Sequence, residues 1–242
     1  MIDPRVSLIQ ERLAPIDRII AVTGGKGGIG KTVIASTLGV ILKNRGLKVG
    51  LCDLDLCGPS THIVLGGETL YPEEEKGIVP PNVYGIQYLS IVFFAKDFAT
   101  PLRGTDISNA IIELLAITRW DKLDVLLFDM PPGLSDAALD TIRFIPHGEY
   151  LIVTTGSKLS WVTTRKIISF LKELNLPIIG VIENLANPQE DFIQSSLKEF
   201  NIKYLGKIPI DPELEKTFGN PQKLLQTKFA KELDKIAEKF VR

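Results

Sequence analysis

The fold is decided by one segment near the amino terminus, Ile19-Ile20-Ala21-Val22-Thr23-Gly24-Gly25-Lys26-Gly27-Gly28-Ile29-Gly30-Lys31-Thr32. A short apolar run, typical of a buried strand, leads into a glycine-rich turn, and a helical pattern follows over residues 31–44. The segment from Gly25 to Thr32 has the spacing G-x-x-x-x-G-K-[ST]. Glycines let the backbone wrap around phosphate groups, and the N-terminus of the following helix adds partial positive charge. The segment therefore predicts a phosphate-binding loop between a strand and a helix.

Lys31 and Thr32 are the reactive side chains of this loop. We expect the Lys31 ammonium group to reach the β- and γ-phosphate oxygens of a nucleotide and the Thr32 hydroxyl to ligate Mg²⁺. The alternative is a glycine-rich turn without a ligand, but the spacing arises by chance in such a chain with odds on the order of one in a hundred. The expected nucleotide contacts are Gly25, Lys26, Gly27, Gly28, Ile29, Gly30, Lys31, Thr32 and Val33.

The rest of the chain alternates between short strand-like runs and longer helical patterns. Strands are predicted at 19–22, 49–52, 125–128, 150–154, 178–182 and 203–205, and helices at 31–44, 108–117, 161–174 and 189–200. This alternation predicts a three-layer α/β fold, with a mostly parallel central sheet and helices on both faces. We expect one domain over residues 1–242, with 1–18 as an N-terminal extension and 221–242 as a C-terminal helix.

Composition narrows the class of protein further. The 242 residues are 45% hydrophobic and 24% charged, as in soluble globular proteins, and the net charge of −1 provides no general attraction to nucleic acid or anionic lipid. No apolar run approaches the roughly 18 residues of a membrane span, and the charged N-terminus does not resemble a signal peptide. Two cysteines, Cys52 and Cys57, exclude a disulfide framework. We therefore expect a cytoplasmic protein.

Two predicted strands end in aspartates that precede tight turns. One ends in Asp53-Leu54-Asp55 before Gly58-Pro59-Ser60, and the other ends in Asp129 before Pro131-Pro132-Gly133. Because the carboxyl ends of parallel strands meet at one edge of a sheet, we expect these carboxylates beside the phosphate-binding loop. Carboxylates in that position hold the Mg²⁺ shell and orient water during phosphoryl transfer.

These motifs resemble those of a known family. The stretch GKGGIGKT resembles the deviant Walker A motif of the MinD/ParA/Mrp ATPases, in which an extra lysine, here Lys26, reaches the phosphates bound by a second copy. The patterns over 53–60 and 129–136 resemble the switch sequences of its Mrp, or ApbC-like, branch of iron–sulfur carrier ATPases. The resemblance covers roughly residues 19–212. It implies the three-layer P-loop NTPase fold and a Mg-dependent, homodimeric ATPase switch that hydrolyses ATP slowly until it meets an unknown client protein. The resemblance also links this switch to iron–sulfur or metallocofactor assembly.

The resemblance also assigns roles at the phosphate end of the site. Lys26 and Lys31 would act with Asp55, which would position the attacking water. Asp53 and Asp129 would hold Mg²⁺ through its water ligands. A further glycine after the second aspartate motif, Gly133, would sense the γ-phosphate.

The base pocket is assigned in the same way. Residues 177–184 resemble the family's strand that ends in Glu-Asn, and Asn184 would read the edge of adenine. The segment 206–212 resembles the next part of the family pattern, and it places Pro209, Ile210 and Asp211 around the base.

One family feature is missing from the chain. The family's cluster ligands are a C-x-x-C pair shortly after the Glu-Asn segment, but residues 184–191 read Asn-Leu-Ala-Asn-Pro-Gln-Glu-Asp, and no cysteine follows Cys57. Thiolates are the ligands that iron–sulfur clusters need, and Cys52 falls within an apolar strand. The sequence therefore supports ATP and Mg²⁺ as ligands and counts against a cluster.

A spatial organiser of the MinD or ParA type, acting on membrane or DNA, is the alternative function. Residues 228–242 have an apolar and a lysine-bearing face, as a membrane-anchoring helix would, but acidic residues interrupt the polar face. Residues 203–242 contain nine Lys or Arg against six Asp or Glu, which is only weakly basic. Neither feature is a strong signal for membrane or nucleic acid. A simple P-loop kinase or synthetase is a third possibility, but no acceptor site is visible.

Overall fold

The computed structural model describes residues 4–56, 58–67, 70–94, 104–145 and 147–241. Its helices are α1 (Pro4–Leu13), α2 (Lys31–Asn44), α3 (Thr61–Leu65), α4 (Gly104–Ile117), α5 (Asp136–Phe144), α6 (Lys158–Glu173), α7 (Phe192–Leu197), α8 (Pro221–Leu224) and α9 (Lys228–Ala237). Its strands are β1 (Ile19–Gly24), β2 (Val49–Asp53), β3 (Glu73–Glu74), β4 (Ile78–Val79), β5 (Asn82–Val83), β6 (Ile86–Ser90), β7 (Val125–Asp129), β8 (Glu149–Thr154), β9 (Ile178–Ala186) and β10 (Tyr204–Pro209).

The central sheet has eight strands in the order β10-β9-β8-β1-β7-β2-β6-β5. Every neighbouring pair is parallel except β5 and β6, and β3 and β4 form a separate antiparallel pair. Asp129 pairs in register with Val22 on one side and with Asp53 on the other. The register therefore brings the ends of β1, β2 and β7, with both aspartates, to one edge of the sheet.

Helices cover both faces of this sheet. Helix α2 packs on β1, β2 and β7, and it also contacts α3, α8 and α9. Helix α6 packs on β8 and β1, whereas α1, α4 and α5 pack against one another. Strands β1, β2 and β7 are buried along their whole length, which explains why their sequences are continuously apolar rather than alternating. The predicted three-layer α/β fold is confirmed.

Several elements were not anticipated from the sequence. Strand β6 lies next to the antiparallel end of the sheet, and its polar residues Gln87 and Ser90 interrupt the apolar pattern. Helix α1 occupies the predicted N-terminal extension and packs on α4. Helix α5 begins at a Ser135 cap, whose hydroxyl accepts a hydrogen bond from the Ala138 N–H at 3.3 Å. The predicted strand 203–205 extends to Pro209, and the predicted helix 189–200 begins only at Phe192.

The prediction of one helix over residues 221–242 is wrong. Two helices, α8 and α9, are separated by a break at residues 225–227. Thr227 caps α9, because its hydroxyl accepts a hydrogen bond from the Ala230 N–H at 3.1 Å. The apolar face of α9 is buried against α2 and β10, so it belongs to the core rather than to a membrane anchor. Within the described ranges, no helix is both long and apolar enough to cross a membrane.

This packing predicts that Leu233→Ala destabilises the protein by about 2–5 kcal/mol, because Leu233 is fully buried in α9 and alanine would leave a cavity. Lys235→Ala, an exposed change on the same helix, should alter the free energy of unfolding by less than about 0.5 kcal/mol. Urea unfolding of both variants measures the difference. Equal stability of Leu233→Ala and wild type would show that α9 does not pack on the sheet as described.

Candidate functional site

A cavity of about 570 Å³ opens at the carboxyl edge of the sheet, where β1, β2 and β9 end. Eleven of the residues singled out in the sequence line it, namely Gly27, Gly28, Gly30, Lys31, Thr32, Val33, Asp55, Asn184, Pro209, Ile210 and Asp211. The other predicted residues do not line it: Gly25, Lys26, Ile29, Asp53, Asp129 and Gly133. The fold thus brings most of the predicted phosphate and base residues to one cavity.

The glycine-rich loop forms one wall. Gly28 and Gly30 have φ angles of 75° and 88°, in the left-handed region that favours glycine. A Cβ atom added at Gly30 would lie 2.2 Å from the Asn184 Nδ2 atom, whereas none of the described atoms lies within 4 Å of a Cβ added at Gly27 or Gly28. At the start of α2 the preceding glycine provides no side-chain cap. The first N–H groups of the helix therefore remain available at the cavity wall, as a phosphate site requires.

The two loop lysines are placed very differently. Lys31 is only 6% exposed, and its ammonium group lies 3.5 Å from the Lys26 carbonyl oxygen, folded back over the loop. Lys26 is exposed. Lys31 can therefore contact phosphates bound in its own chain, while the Lys26 side chain extends into solvent.

Behind the loop, Thr32 and Asp129 form a bonded pair. The Thr32 hydroxyl donates to the Asp129 Oδ2 atom at 2.6 Å, and no described residue offers a partner to the buried Oδ1 atom. Burial, reinforced by the charge of Asp53, raises the pKa of Asp129 to about 8. Asp53 and Asp129 are thus two buried carboxyl groups side by side, and the Asp129 Oδ1 atom has no positively charged hydrogen-bond partner among the described residues. The residues therefore fit a divalent cation, which Thr32 would hold directly and Asp129 through water.

Asp53 is engaged by its own loop. Its Oδ1 atom accepts a hydrogen bond from the Asp55 N–H at 3.1 Å. Its Oδ2 atom accepts three, from the N–H groups of Ser60 and Thr61 at 3.1 and 3.2 Å and from the Thr61 hydroxyl at 2.7 Å. Burial raises the pKa of Asp53 despite these bonds. The carboxylate thus fixes the turn between β2 and α3, and its expected contact with Mg²⁺ through water stays a prediction.

The two aspartate loops meet at Asp55. This residue lines the main cavity and also a neighbouring cleft of about 230 Å³, which Leu54, Pro131 and Ser135 help to line. The Gly133 N–H donates to the Gly24 carbonyl oxygen at 2.9 Å, so the loop after β7 is tied to the phosphate-binding loop. Asp55 therefore occupies the junction of all three loops.

At the base end, Asn184 performs a task that sequence reasoning missed. Its Nδ2 atom donates to the Ile29 carbonyl oxygen at 2.9 Å and so braces the phosphate-binding loop. The side chain is buried, and its Oδ1 atom has no hydrogen-bond partner in the described part of the chain. Asn184 therefore keeps one free acceptor beside the cavity.

Asp211 also differs from expectation. Its Oδ2 atom accepts from the Phe229 N–H at 3.1 Å and its Oδ1 atom from the Glu213 N–H at 3.2 Å, so the carboxylate fixes the start of α9. Ile210 is 67% exposed beside it. Sequence reasoning missed several apolar residues that line the cavity, namely Leu185, Leu214, Phe218 and Phe229.

The described residues contain no group of three or more His, Cys, Asp or Glu placed to hold a metal ion. Cys52 is fully buried, and burial raises the pKa of its thiol. Cys57 lies outside the described residues.

Two proteins of similar sequence carry the same name. The iron-sulfur cluster carrier protein of Methanococcus maripaludis is 34% identical, over 98% of this chain and 88% of that protein. The iron-sulfur cluster carrier protein of Aquifex aeolicus is 36% identical over 85% of this chain, but the match spans only 61% of the relative.

Solved structures support the same grouping. A nucleotide-binding protein from Archaeoglobus fulgidus in complex with ADP superposes with a TM-score of 0.74 at 29% identity, covering 96% of this chain and 93% of that one. The cell division ATPase MinD of Pyrococcus furiosus has a TM-score of 0.69 at 26% identity, covering 92% and 98%. A family model described as ParA, NUBPL iron-transfer P-loop NTPase, matches residues 15–242. The chain therefore belongs to the ParA/NUBPL family of iron-transfer P-loop NTPases.

Proposed function

We propose that this chain binds and hydrolyses Mg-ATP as a homodimeric switch that serves iron–sulfur cluster assembly by acting on a client protein. The main support for the proposal is that the glycine-rich loop, Asp55 and Asn184 all line the same cavity. Membership of the iron-transfer P-loop NTPase family supports the link to cluster assembly.

The proposed role of each residue follows from its position in the cavity. The N–H groups of the loop and the first turn of α2 bind the phosphates, and Lys31 neutralises the β- and γ-phosphate oxygens. Thr32 would hold the cation directly and Asp129 would hold it through water, and the cation would supply positive charge to the triphosphate. Asp55 accepts a hydrogen bond from the attacking water and orients it toward the γ-phosphate.

Asn184 favours adenine over guanine. Its Nδ2 atom donates one of its two hydrogens to the Ile29 carbonyl oxygen, whereas its Oδ1 acceptor has no partner in the described part of the chain and is wholly free for a base. The exocyclic amino group of adenine is a donor that matches this acceptor, whereas guanine presents an acceptor oxygen at the equivalent position.

A second copy is the expected partner of the loop face. Apolar side chains open to solvent lie on the first two turns of α6: Leu159 is 69% and Val162 44% exposed. This part of α6 abuts the loop that carries Lys26, since a Cβ atom added at Gly25 would lie 2.2 Å from the Thr163 Oγ1 atom. Exposed apolar residues that lie together are typical of a surface that another protein covers.

Phosphate release from Mg-ATP, measured together with sedimentation velocity, tests the proposal. Lys26→Ala should bind ATP with near wild-type affinity, remain monomeric in ATP, and lose turnover by roughly a thousandfold, because a cation supplied in trans stabilises transition-state charge. Lys122→Ala, an exposed lysine near the opposite end of the sheet, is the matched control and should behave as wild type. Wild-type turnover by Lys26→Ala would refute the role across the dimer.

A further inference from the structure

We infer that this chain does not ligate an iron–sulfur cluster with its own side chains, because the residues present do not fit such a cluster. The inference refines the proposed function and rests on it for the link to clusters. It separates the nucleotide-driven step from cluster binding, although the relatives of similar sequence are named as carriers.

The first argument is the supply of thiolates. Clusters of the common types are held by about four cysteine thiolates, and these 242 residues contain two cysteines. Cys52 is fully buried in β2, where it pairs in register with Leu89 and Phe128 on the flanking strands. Only Cys57 remains, so the proposed homodimer has at most two further thiols, half of what a cluster needs.

The two histidines do not supply the missing cluster ligands. His62 lies in α3 beside the loop that Asp53 organises, whereas His147 lines a cleft with Arg18 and Glu149 next to the amino ends of β1 and β8. The two imidazoles are thus at opposite edges of the sheet. Among the described residues, no three potential metal ligands of the His, Cys, Asp or Glu type converge.

The second argument concerns residues 187–191, the loop after β9, whose oxygen atoms surround the ammonium group of Lys207. The Lys207 ammonium group donates to the carbonyl oxygens of Pro188 and Glu190 at 3.2 and 2.8 Å and to the Asp191 Oδ1 atom at 2.8 Å. The Asn187 Nδ2 atom donates to the Glu190 Oε1 atom at 2.9 Å within the same loop. The loop after β9 therefore presents oxygen atoms that are already bonded to an ammonium group, and it offers none of the thiolates that bind the iron of a cluster.

Anaerobic reconstitution tests the inference. The full chain is incubated with ferrous iron, sulfide and dithiothreitol, with and without Mg-ATP, and then desalted into buffer free of small thiols. We expect iron and sulfide to separate from the protein, with no visible charge-transfer band. The Methanococcus maripaludis carrier protein, treated in parallel, is the positive control.

Retention of about four iron and four sulfide ions per dimer would overturn the inference, and loss of that cluster in Cys57→Ser would identify the ligand that was misjudged. Mg-ATP binding is measured on the same sample. Failure to bind nucleotide would contradict the proposed function and leave the statement about thiolates standing, so the two failures are distinguishable.

Discussion

Lys31→Ala is expected to lower the affinity for Mg-ATP by at least about a hundredfold, which abolishes binding at micromolar nucleotide. Lys31 is buried at the loop, with its ammonium group folded over the backbone that forms the phosphate site. Alanine would remove charge-assisted hydrogen bonds worth about 1.5–3 kcal/mol each and leave the phosphate charge uncompensated. Isothermal titration with Mg-ATP measures the loss directly.

The matched control is Lys43→Ala, which removes a lysine from the opposite end of the same helix. The Lys43 ammonium group lies 4.3 Å from the centre of the Tyr84 ring, far from the loop along α2. Its replacement should cost at most about 1 kcal/mol of stability and leave nucleotide affinity unchanged. Undiminished ATP affinity in Lys31→Ala, with folding verified by urea unfolding, would refute the assignment of the loop.

Asp55→Ala is expected to bind Mg-ATP normally and to hydrolyse it 10²–10⁴ times more slowly, roughly the contribution of a positioned general base or water-orienting group. The side chain lies at the junction of the three loops but makes no hydrogen bond to the loop lysines in the described structure. Its removal should therefore spare phosphate binding. Because ATP persists, the dimer should become a stable species in sedimentation velocity.

Asp136→Ala is the control for this variant. Asp136 is exposed on the first turn of α5 and lines the same cleft as Asp55, so both changes remove a carboxylate from one region. Only Asp55→Ala should lose single-turnover hydrolysis. Persistence of wild-type hydrolysis in Asp55→Ala would mean that another residue places the water.

The phosphate end of the site was predictable because its information is local. A strand, a glycine-rich turn and a helix follow one another within residues 19–44, and the positive φ angles of Gly28 and Gly30 are a property that the sequence itself encodes. The positions of the two aspartates were equally predictable, since parallel strands place Asp53 and Asp129 in register at one edge of the sheet. The resemblance to the family then assigned roles to the loop lysines and the aspartates that their positions in the sequence alone did not indicate.

The base end was less predictable because it depends on tertiary contacts. Phe218 and Phe229 reach the cavity only through the return of the chain after β10, and no spacing in the sequence indicates this. The same is true of the bond from Asn184 to Ile29, which joins residues 155 positions apart. The break between α8 and α9 is not predicted because the apolar spacing continues through it.

The central claim is that a triphosphate binds in the cavity formed by the glycine-rich loop and that two copies close over it. A crystal structure with Mg²⁺ and a non-hydrolysable ATP analogue tests this most directly. We expect the triphosphate against residues 27–32, Lys31 on its β- and γ-phosphate oxygens, and Lys26 of a second copy on the same nucleotide. A cavity that stays empty at saturating analogue, or a nucleotide bound elsewhere on the chain, would contradict the account.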